Sequence, residues 1–318
     1  MKKFLSCDWG TSSFRLRLVE RSSNTIIGEE NSDDGIAKIF ELWKQSANPE
    51  QQRLLFYLKI IEQHIDALQK KLKSSFDEVP LVISGMACST LGMIDLPYKE
   101  VPFSIEGNDL VTETLETGNN FKHDIIFISG AKTDRDAMRG EETQIVGCFS
   151  TAQEQVFIFP GTHSKHVVVR NEQVVDIKTY MTGEFFNLLS EKSILSTSVK
   201  KTTDLKSAKN KQAFEAGVKE SLHSNLLNGS FTVRTNFLFH KFNELENYHY
   251  LSGLLIGTEI RDIAGSDCDV TLVSDPHLHS QYEEAFNLVK NKTRNLKIQN
   301  ADQAIVAGQL KILKRVLR

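Results

Sequence analysis

Phe4-Leu5-Ser6-Cys7-Asp8-Trp9-Gly10-Thr11-Ser12-Ser13-Phe14-Arg15-Leu16-Arg17-Leu18 opens the chain with the pattern from which its fold is read. A short apolar run ends at an aspartate and a glycine. Three hydroxyl residues follow, and Phe14, Leu16 and Leu18 then alternate with Arg15 and Arg17. That order predicts strand, tight turn, strand. Gly10 lets backbone come close to a ligand, and Thr11, Ser12 and Ser13 offer hydroxyl and N–H donors suited to phosphate oxygens. Asp8, delivered to a sheet edge, can hold Mg²⁺ directly or through water, because that ion takes oxygen ligands and keeps several waters. By itself the string serves equally as an ordinary hairpin whose side chains satisfy turn backbone.

The pattern returns at mid-chain. Val156-Phe157-Ile158-Phe159 leads into Pro160-Gly161-Thr162-His163-Ser164-Lys165-His166 and an alternating strand through Val167 and Val169. Asn171-Glu172 then turns into a third strand at Val174 to Ile177, as Ile26-Ile27 does in the first half. Strand alternation puts His163 and Lys165 on one face, Ser164 and His166 on the other, which separates the two histidines and argues against zinc. Two such hairpins facing across a cleft can grip the β- and γ-phosphates of one nucleotide. That arrangement resembles the superfamily of actin and hexokinase.

Outward from these turns, apolar spacing predicts a helix from Pro49 to Lys73 and strands at Leu81–Ile83 and Ile125–Ile128, with Pro97 and Pro102 marking a loop between. Helices are expected at 141–149, 184–192, 212–227, 248–264 and 280–290, and strands at Val270–Val273 and Leu296–Ile298. A last helix runs from Asp302, as its cap, to Val316. Residues 200–211, rich in Ser, Thr and Lys, are the expected mobile segment. A chain of 318 residues exceeds one ordinary core. Two domains are therefore expected, 1–152 and 153–318, with the last helix (about 302–316) packing back toward the first.

Composition narrows the function classes. A net charge of -3 gives no global field for nucleic acid or an anionic membrane, and no segment is long and apolar enough to span a bilayer. Met1-Lys2-Lys3 followed by Leu5-Ser6-Cys7 lacks the apolar stretch of a lipoprotein signal, since Asp8 follows at once. The four cysteines are scattered singly without metal-ligand spacing, which fits a reducing cytoplasm.

Between the halves lies Asp134-Arg135-Asp136-Ala137-Met138-Arg139-Gly140-Glu141-Glu142-Thr143-Gln144. Glutamates in a first helical turn complement the helix dipole. They are also where a phosphotransferase of this architecture would place a base, so Glu141 or Glu142 is the candidate, with Arg139 as an anion clamp.

End to end, the chain resembles the 2-dehydro-3-deoxygalactonokinase family. The matching stretches are Asp8-Trp9-Gly10-Thr11-Ser12 with Arg15, Ser84-Gly85-Met86 with Gly92, and Met138-Arg139-Gly140-Glu141-Glu142-Thr143-Gln144. Further on they are Pro160-Gly161-Thr162-His163-Ser164-Lys165, Met181-Thr182-Gly183-Glu184, Leu251-Ser252-Gly253-Leu254-Leu255-Ile256-Gly257 and Ala307-Gly308. The resemblance implies an α/β fold of two ribonuclease H-like (actin-like ATPase) domains, with mixed sheets flanked by helices and the active site in the interdomain cleft. It implies transfer of the γ-phosphoryl group of ATP to the C6 hydroxyl of 2-dehydro-3-deoxy-D-galactonate, with Mg²⁺ as cofactor. Asp8, Glu141 and Glu142 would be catalytic. Gly10, Thr11, Ser12, Gly161 and Thr162 would hold phosphate. Arg139, His163, Lys165, Glu184 and Arg15 would bind the sugar acid, and Gly253, Gly257, Asp275 and Gly308 would lie on the adenosine side. Partners would be the small-molecule substrates, with no nucleic acid or membrane, and a homodimer as one form of assembly.

One departure stands out. Where the family has a glycine after a Leu-Val strand, this chain reads Val273-Ser274-Asp275-Pro276-His277. The alternatives are a kinase of another 2-keto-3-deoxy acid, a catalytically silent sugar-acid or nucleotide sensor, and a nuclease of the related architecture. The last would need clustered metal-binding carboxylates and a basic surface.

Overall fold

The computed structural model describes residues 2–46, 50–118, 121–150, 153–265, 267–289 and 295–317. The chain divides into two compact units. One comprises Met1–Gln153, Val169–Ile177 and Ala301–Arg318; the other comprises Glu154–Val168 and Lys178–Asn300. The 152/153 boundary, the Pro49 helix start and the Lys290 helix end fall on or beside residues outside those described.

In the first unit, β1 (Lys3–Trp9), β2 (Phe14–Glu20) and β3 (Thr25–Ser32) form an antiparallel meander. Next come α1 (Ile36–Gln45), α2 (Arg53–Leu72) and β4 (Leu81–Gly85), which lies parallel to β1 on its free side. The short strands β5 (Lys99–Glu100) and β6 (Phe103–Ser104) precede β7 (Thr112–Leu115) and β8 (Ile125–Ile128). Then β9 (Ala131–Lys132) and β10 (Ala137–Met138) lead into α3 (Glu141–Gly147). The main sheet has the order β3-β2-β1-β4-β8-β7, parallel at its centre and antiparallel at both edges. Phe4, Leu5, Cys7 and Trp9 of β1 are all fully buried. The strand therefore has apolar residues on both faces, as a central strand covered on both sides requires. α2 turns Tyr57, Leu58, Ile61, Ile65 and Leu68 inward at helical spacing. Each such side chain contributes about 1.5–3 kcal/mol of gross burial energy.

In the second unit the element order is β11 (Glu154–Phe159), β12 (Ser164–Arg170), β13 (Gln173–Tyr180), α4 (Thr182–Asn187), α5 (Ala208–Ser221), α6 (Leu226–Leu238) and α7 (Glu244–Ile260). β14 (Asp269–Ser274), α8 (Pro276–Val289) and β15 (Leu296–Asn300) complete it. The sheet order is β15-β14-β11-β12-β13, with β14 parallel to both β11 and β15. The turn joining β12 and β13 belongs to the first unit, where Val174 pairs with Phe103. The chain ends in α9 (Ala301–Val316), also part of the first unit, where it packs on α3.

Several expectations need correction. The helix expected over 212–227 is two helices. α5 stops at Ser221, and Asn225 caps α6 by accepting the Leu227 N–H. The expected 184–192 helix begins at Thr182 and widens to a π turn at Leu188–Lys192. Residues 208–211 of the segment expected to be mobile belong to α5, and Asn210 there donates to the Asp204 carbonyl. Asp302 lies inside the first turn of α9 rather than capping it, and its carboxylate faces arginines of β2.

Candidate functional site

The hairpin register sets Asp8 of β1 opposite Arg15 of β2, and Ser84 of β4 opposite Asp8 on the other side. The turn between β1 and β2 closes with the Gly10 N–H donating to the Ser13 carbonyl at 2.9 Å. Its outward carbonyls, those of Gly10 and Thr11, accept the Ile36 and Ala37 N–H groups at the start of α1. Thr11 and Ser12 are exposed, their donors open to a ligand. Arg15 lies 3.8 Å from Asp8 and 3.4 Å from Asp302. Arg17, fully buried on the same strand, is ion-paired to Asp302 and sits 3.5 Å from Glu29. Burial raises the Asp8 pKa, opposed by Arg15 and Arg17 and helped by the charges of Asp302 and Glu141. Glu141 is therefore near enough for its charge to be felt at Asp8.

At the head of α3 the two glutamates differ sharply. Glu142 is fully buried, accepting the Gly140 N–H at 2.7 Å and the Thr143 hydroxyl at 2.9 Å. Burial first, then repulsion from Glu141, pushes its pKa up to about 8. Glu141 stays partly exposed. Gly140 reaches this geometry with φ of 113°, open to glycine alone without strain. The Arg139 guanidinium donates to the backbone carbonyls of Cys88 and Leu96 and stacks 3.9 Å from the Tyr98 ring centroid.

In the second unit Gly161, Thr162 and His163 are exposed between β11 and β12. Nothing lies within 4 Å of where a Gly161 side chain would begin. The turn is braced from Met181-Thr182-Gly183-Glu184. The Glu184 N–H donates to the Thr162 carbonyl at 3.0 Å, and Gly183 packs so tightly that a Cβ there would meet the Gly161 oxygen at 2.6 Å. His163 and Glu184 pair at 2.5 Å, half exposed. Lys165 is largely buried, its ammonium donating to the His163 carbonyl at 2.7 Å.

Beneath this turn is a residue that the sequence reading passed over. Glu259 of α7 is buried, and its carboxylate accepts from Ser164 at 2.7 Å, His166 at 3.0 Å, Thr182 at 2.5 Å and Tyr282 at 2.8 Å. One side chain thus joins β12, α4 and α8. The signal was available, since a glutamate within the apolar run Leu-Leu-Ile-Gly-Thr-Glu-Ile must find buried partners.

The residues expected near adenosine fall in separate settings. Gly253 and Gly257 lie where α7 crosses α5, and a Cβ on Gly253 would meet the Phe214 carbonyl oxygen at 2.1 Å. Gly308 lies where α9 crosses α3, 1.8 Å from the Thr143 oxygen by the same measure. Asp275 directly precedes α8, with Pro276 at the first helical position, where its missing N–H is harmless. Asp275 is not among the described residues with positive φ, so no glycine conformation is being imitated.

Among the described residues no three His, Cys, Asp or Glu side chains cluster as a metal site. Mg²⁺ carried with a nucleotide needs only one or two carboxylates, the rest being water and phosphate oxygen. Asp8 is a carboxylate near the end of β1 beside the Gly10 turn, so its oxygen donors fit that ion.

Comparison with known proteins adds to this geometry. A 2-dehydro-3-deoxygalactonokinase of Escherichia coli (strain K12) is 32% identical over 66% of this chain and 71% of its own length. A Rhizobium meliloti (strain 1021) protein provisionally given the same name, DgoK1, is 30% identical over 96% of this chain and 94% of its own. A crystal structure from Sinorhizobium meliloti, provisionally assigned likewise, superposes with a TM-score of 0.80 at 28% identity, covering 99% of this chain and 96% of that one. Component A of the (R)-2-hydroxyglutaryl-CoA dehydratase of Acidaminococcus fermentans shares the fold alone, at 9% identity and a TM-score of 0.53 over the full length of both chains. The α/β class, with mixed sheets flanked by helices, is the one observed. With a family match running from residue 8 to residue 312, the chain belongs to the 2-keto-3-deoxy-galactonokinase family.

Proposed function

We propose that this protein transfers the γ-phosphoryl group of ATP to the C6 hydroxyl of 2-dehydro-3-deoxy-D-galactonate, giving the 6-phosphate in galactonate breakdown. The observation that carries the reading is the Asp8 turn together with the paired glutamates at the head of α3, in a chain of this family. In the proposed mechanism Gly10, Thr11, Ser12, Gly161 and Thr162 hold the phosphate chain through backbone and hydroxyl donors. Asp8 holds Mg²⁺, which when bound neutralises charge on the transferring group. Glu141, the exposed member of its pair, takes the proton of the C6 hydroxyl as general base. Glu142 buttresses the turn from below. Arg15, Arg139 and Lys165 are the cations proposed for the sugar acid's carboxylate, and His163 with Glu184 for the C6 hydroxyl end. The adenosine side is assigned to the head of α8 at Asp275, with Gly253 and Gly257 setting the helix spacing. The four free cysteines suit a reducing cytoplasm.

The deciding experiment is a coupled assay of ADP release across a panel of 2-keto-3-deoxy acids, with product identified by mass. The galactonate form should be phosphorylated and preferred over the gluconate form. ADP release without a phosphorylated acid, or no turnover with any acid, would overturn the reading.

A further inference from the structure

A cavity of about 430 Å³ opens in the first unit, lined by Ser89, Thr90, Asp95, Leu96, Pro97, Tyr98 and Arg139. Its volume suits a small ligand. Its wall is a loop pinned through four backbone carbonyls. Arg139 holds those of Cys88 and Leu96, Arg53 holds that of Thr90 at 3.0 Å, and the Tyr57 hydroxyl holds that of Leu91 at 2.5 Å. A loop fixed at so many points is shaped before any ligand arrives, which lowers the cost of binding.

Two polar groups at this wall are not used up by the fold. The Arg139 side chain is 5% exposed, yet its Nε has no hydrogen-bond partner, and its other bonds go to neutral carbonyls. The nearest carboxylate, that of Asp95, stands 3.7 Å away and is 53% exposed. Asp95 makes no hydrogen bond among the described residues, and beyond its 3.7 Å approach to Arg139 its carboxylate is open to a ligand. Leu96 and Pro97 supply an apolar strip beside it, and the Ser89 and Thr90 hydroxyls supply a polar one. The cavity shares Arg139 with the strand that leads through Gly140 into Glu141.

We propose that this cavity is the sugar-acid site, with Asp95 reading the chain's vicinal hydroxyls and Leu96 with Pro97 accepting its C3 methylene. A carboxylate accepts two adjacent hydroxyls at once, and the deoxygenated carbon of a 2-keto-3-deoxy acid offers the apolar CH₂ that the strip requires. Asp95 is thereby a specificity-determining residue, because it is placed to distinguish hydroxyl configuration along the chain.

The proposal rests on the kinase reading, and the experiment separates the two. Wild type, Asp95→Asn and Thr90→Val are compared for KM toward the galactonate and gluconate forms, KM for ATP, and calorimetric binding of the acid without nucleotide. Asp95→Asn should raise the KM and the dissociation constant for the preferred acid about ten- to hundredfold, the range for a lost hydrogen bond to a charged group. It should leave KM for ATP within about twofold and narrow the ratio between the two acids. Thr90→Val, at an exposed side chain that leaves the fold intact, should raise KM for the acid several-fold. If wild type phosphorylates an acid and neither variant changes its KM or the isomer ratio, the cavity is not the site. If wild type phosphorylates no acid, the kinase reading and the site fall together.

Discussion

Asp8 faces the Arg15 guanidinium across the hairpin, and burial, the largest influence on it, raises its pKa. Asp8→Ala should abolish phosphoryl transfer while leaving the far-ultraviolet spectrum unchanged; near-normal turnover would remove its metal role. The two glutamates separate by environment. Glu141→Gln should cost about 10²–10⁴ in kcat with little change in acid binding, as loss of a general base does. Glu142→Gln should act mainly on stability, and its pH dependence can be signed. The Glu142 pKa rises from its ordinary 4.5 to about 8 on folding, so the native state holds its proton more tightly than the unfolded chain. That contribution is complete below pH 4.5 and is lost progressively as pH rises to about 8. Melting curves should therefore favour Glu142→Gln over wild type more at pH 8 than at pH 5. A constant difference would show that the carboxyl does not titrate across the range. The glycine and hydroxyl residues of both turns were legible in the sequence, because their chemistry is local. Which glutamate is buried was not, since adjacent helix positions carry no such signal until a neighbouring element covers one of them.

At the scale of elements, strands and long amphipathic helices followed directly from apolar spacing, as at β4, β8, β11, β14 and α2. α6 was missed because its inward side is narrow. Gly229, Val233 and Asn236 are its buried positions, and exposed Leu227 and Phe231 blur the pattern. α7 is buried nearly all round, so its periodicity is weak, and Glu259, the carboxylate within its apolar run, carries the information. Glu259 ties the Gly161 turn to the elements behind it. Glu259→Gln should lower the unfolding free energy by about 3 kcal/mol, since a buried carboxylate with several donors is lost. It should also raise KM for ATP more than KM for the acid. Tyr282→Phe, removing one donor on α8, should cost about 1 kcal/mol and leave both KM values alone. Equal kinetic effects from the two variants would show that Glu259 does not act through the turn.

Across the whole molecule, neither unit is a single run of chain, and this was the least readable feature. Packing partners separated by nearly the full length leave no local trace. α9 supplies the first unit with Ile305, Leu310 and Leu313 as core, and Gln309 donates to the Cys7 carbonyl and the Ser84 hydroxyl at 2.9 Å each. Asp302 supplies the counter-charge to Arg17, whose side chain is 1% exposed. Asp302→Ala should destabilise the first unit by about 3–5 kcal/mol, the cost of stranding a buried charge. Urea titration would measure it; a loss below about 1 kcal/mol would mean that Glu29 suffices.

The return of α9 to the first hairpin bears also on how the protein is made. A ribosome releases β1 and β2 well before α9, so Arg17 waits through the intervening residues for Asp302. Until then Arg17 has only the half-exposed Glu29 beside it, and the strand bearing Asp8 borders on an uncovered apolar surface of the kind that chaperones and proteases recognise. A nascent chain ending between the Gly161 turn and residue 301 would carry both turns assigned to phosphate and still lack the helix that packs on the first hairpin. The fold of the first unit therefore waits on residues that follow position 300.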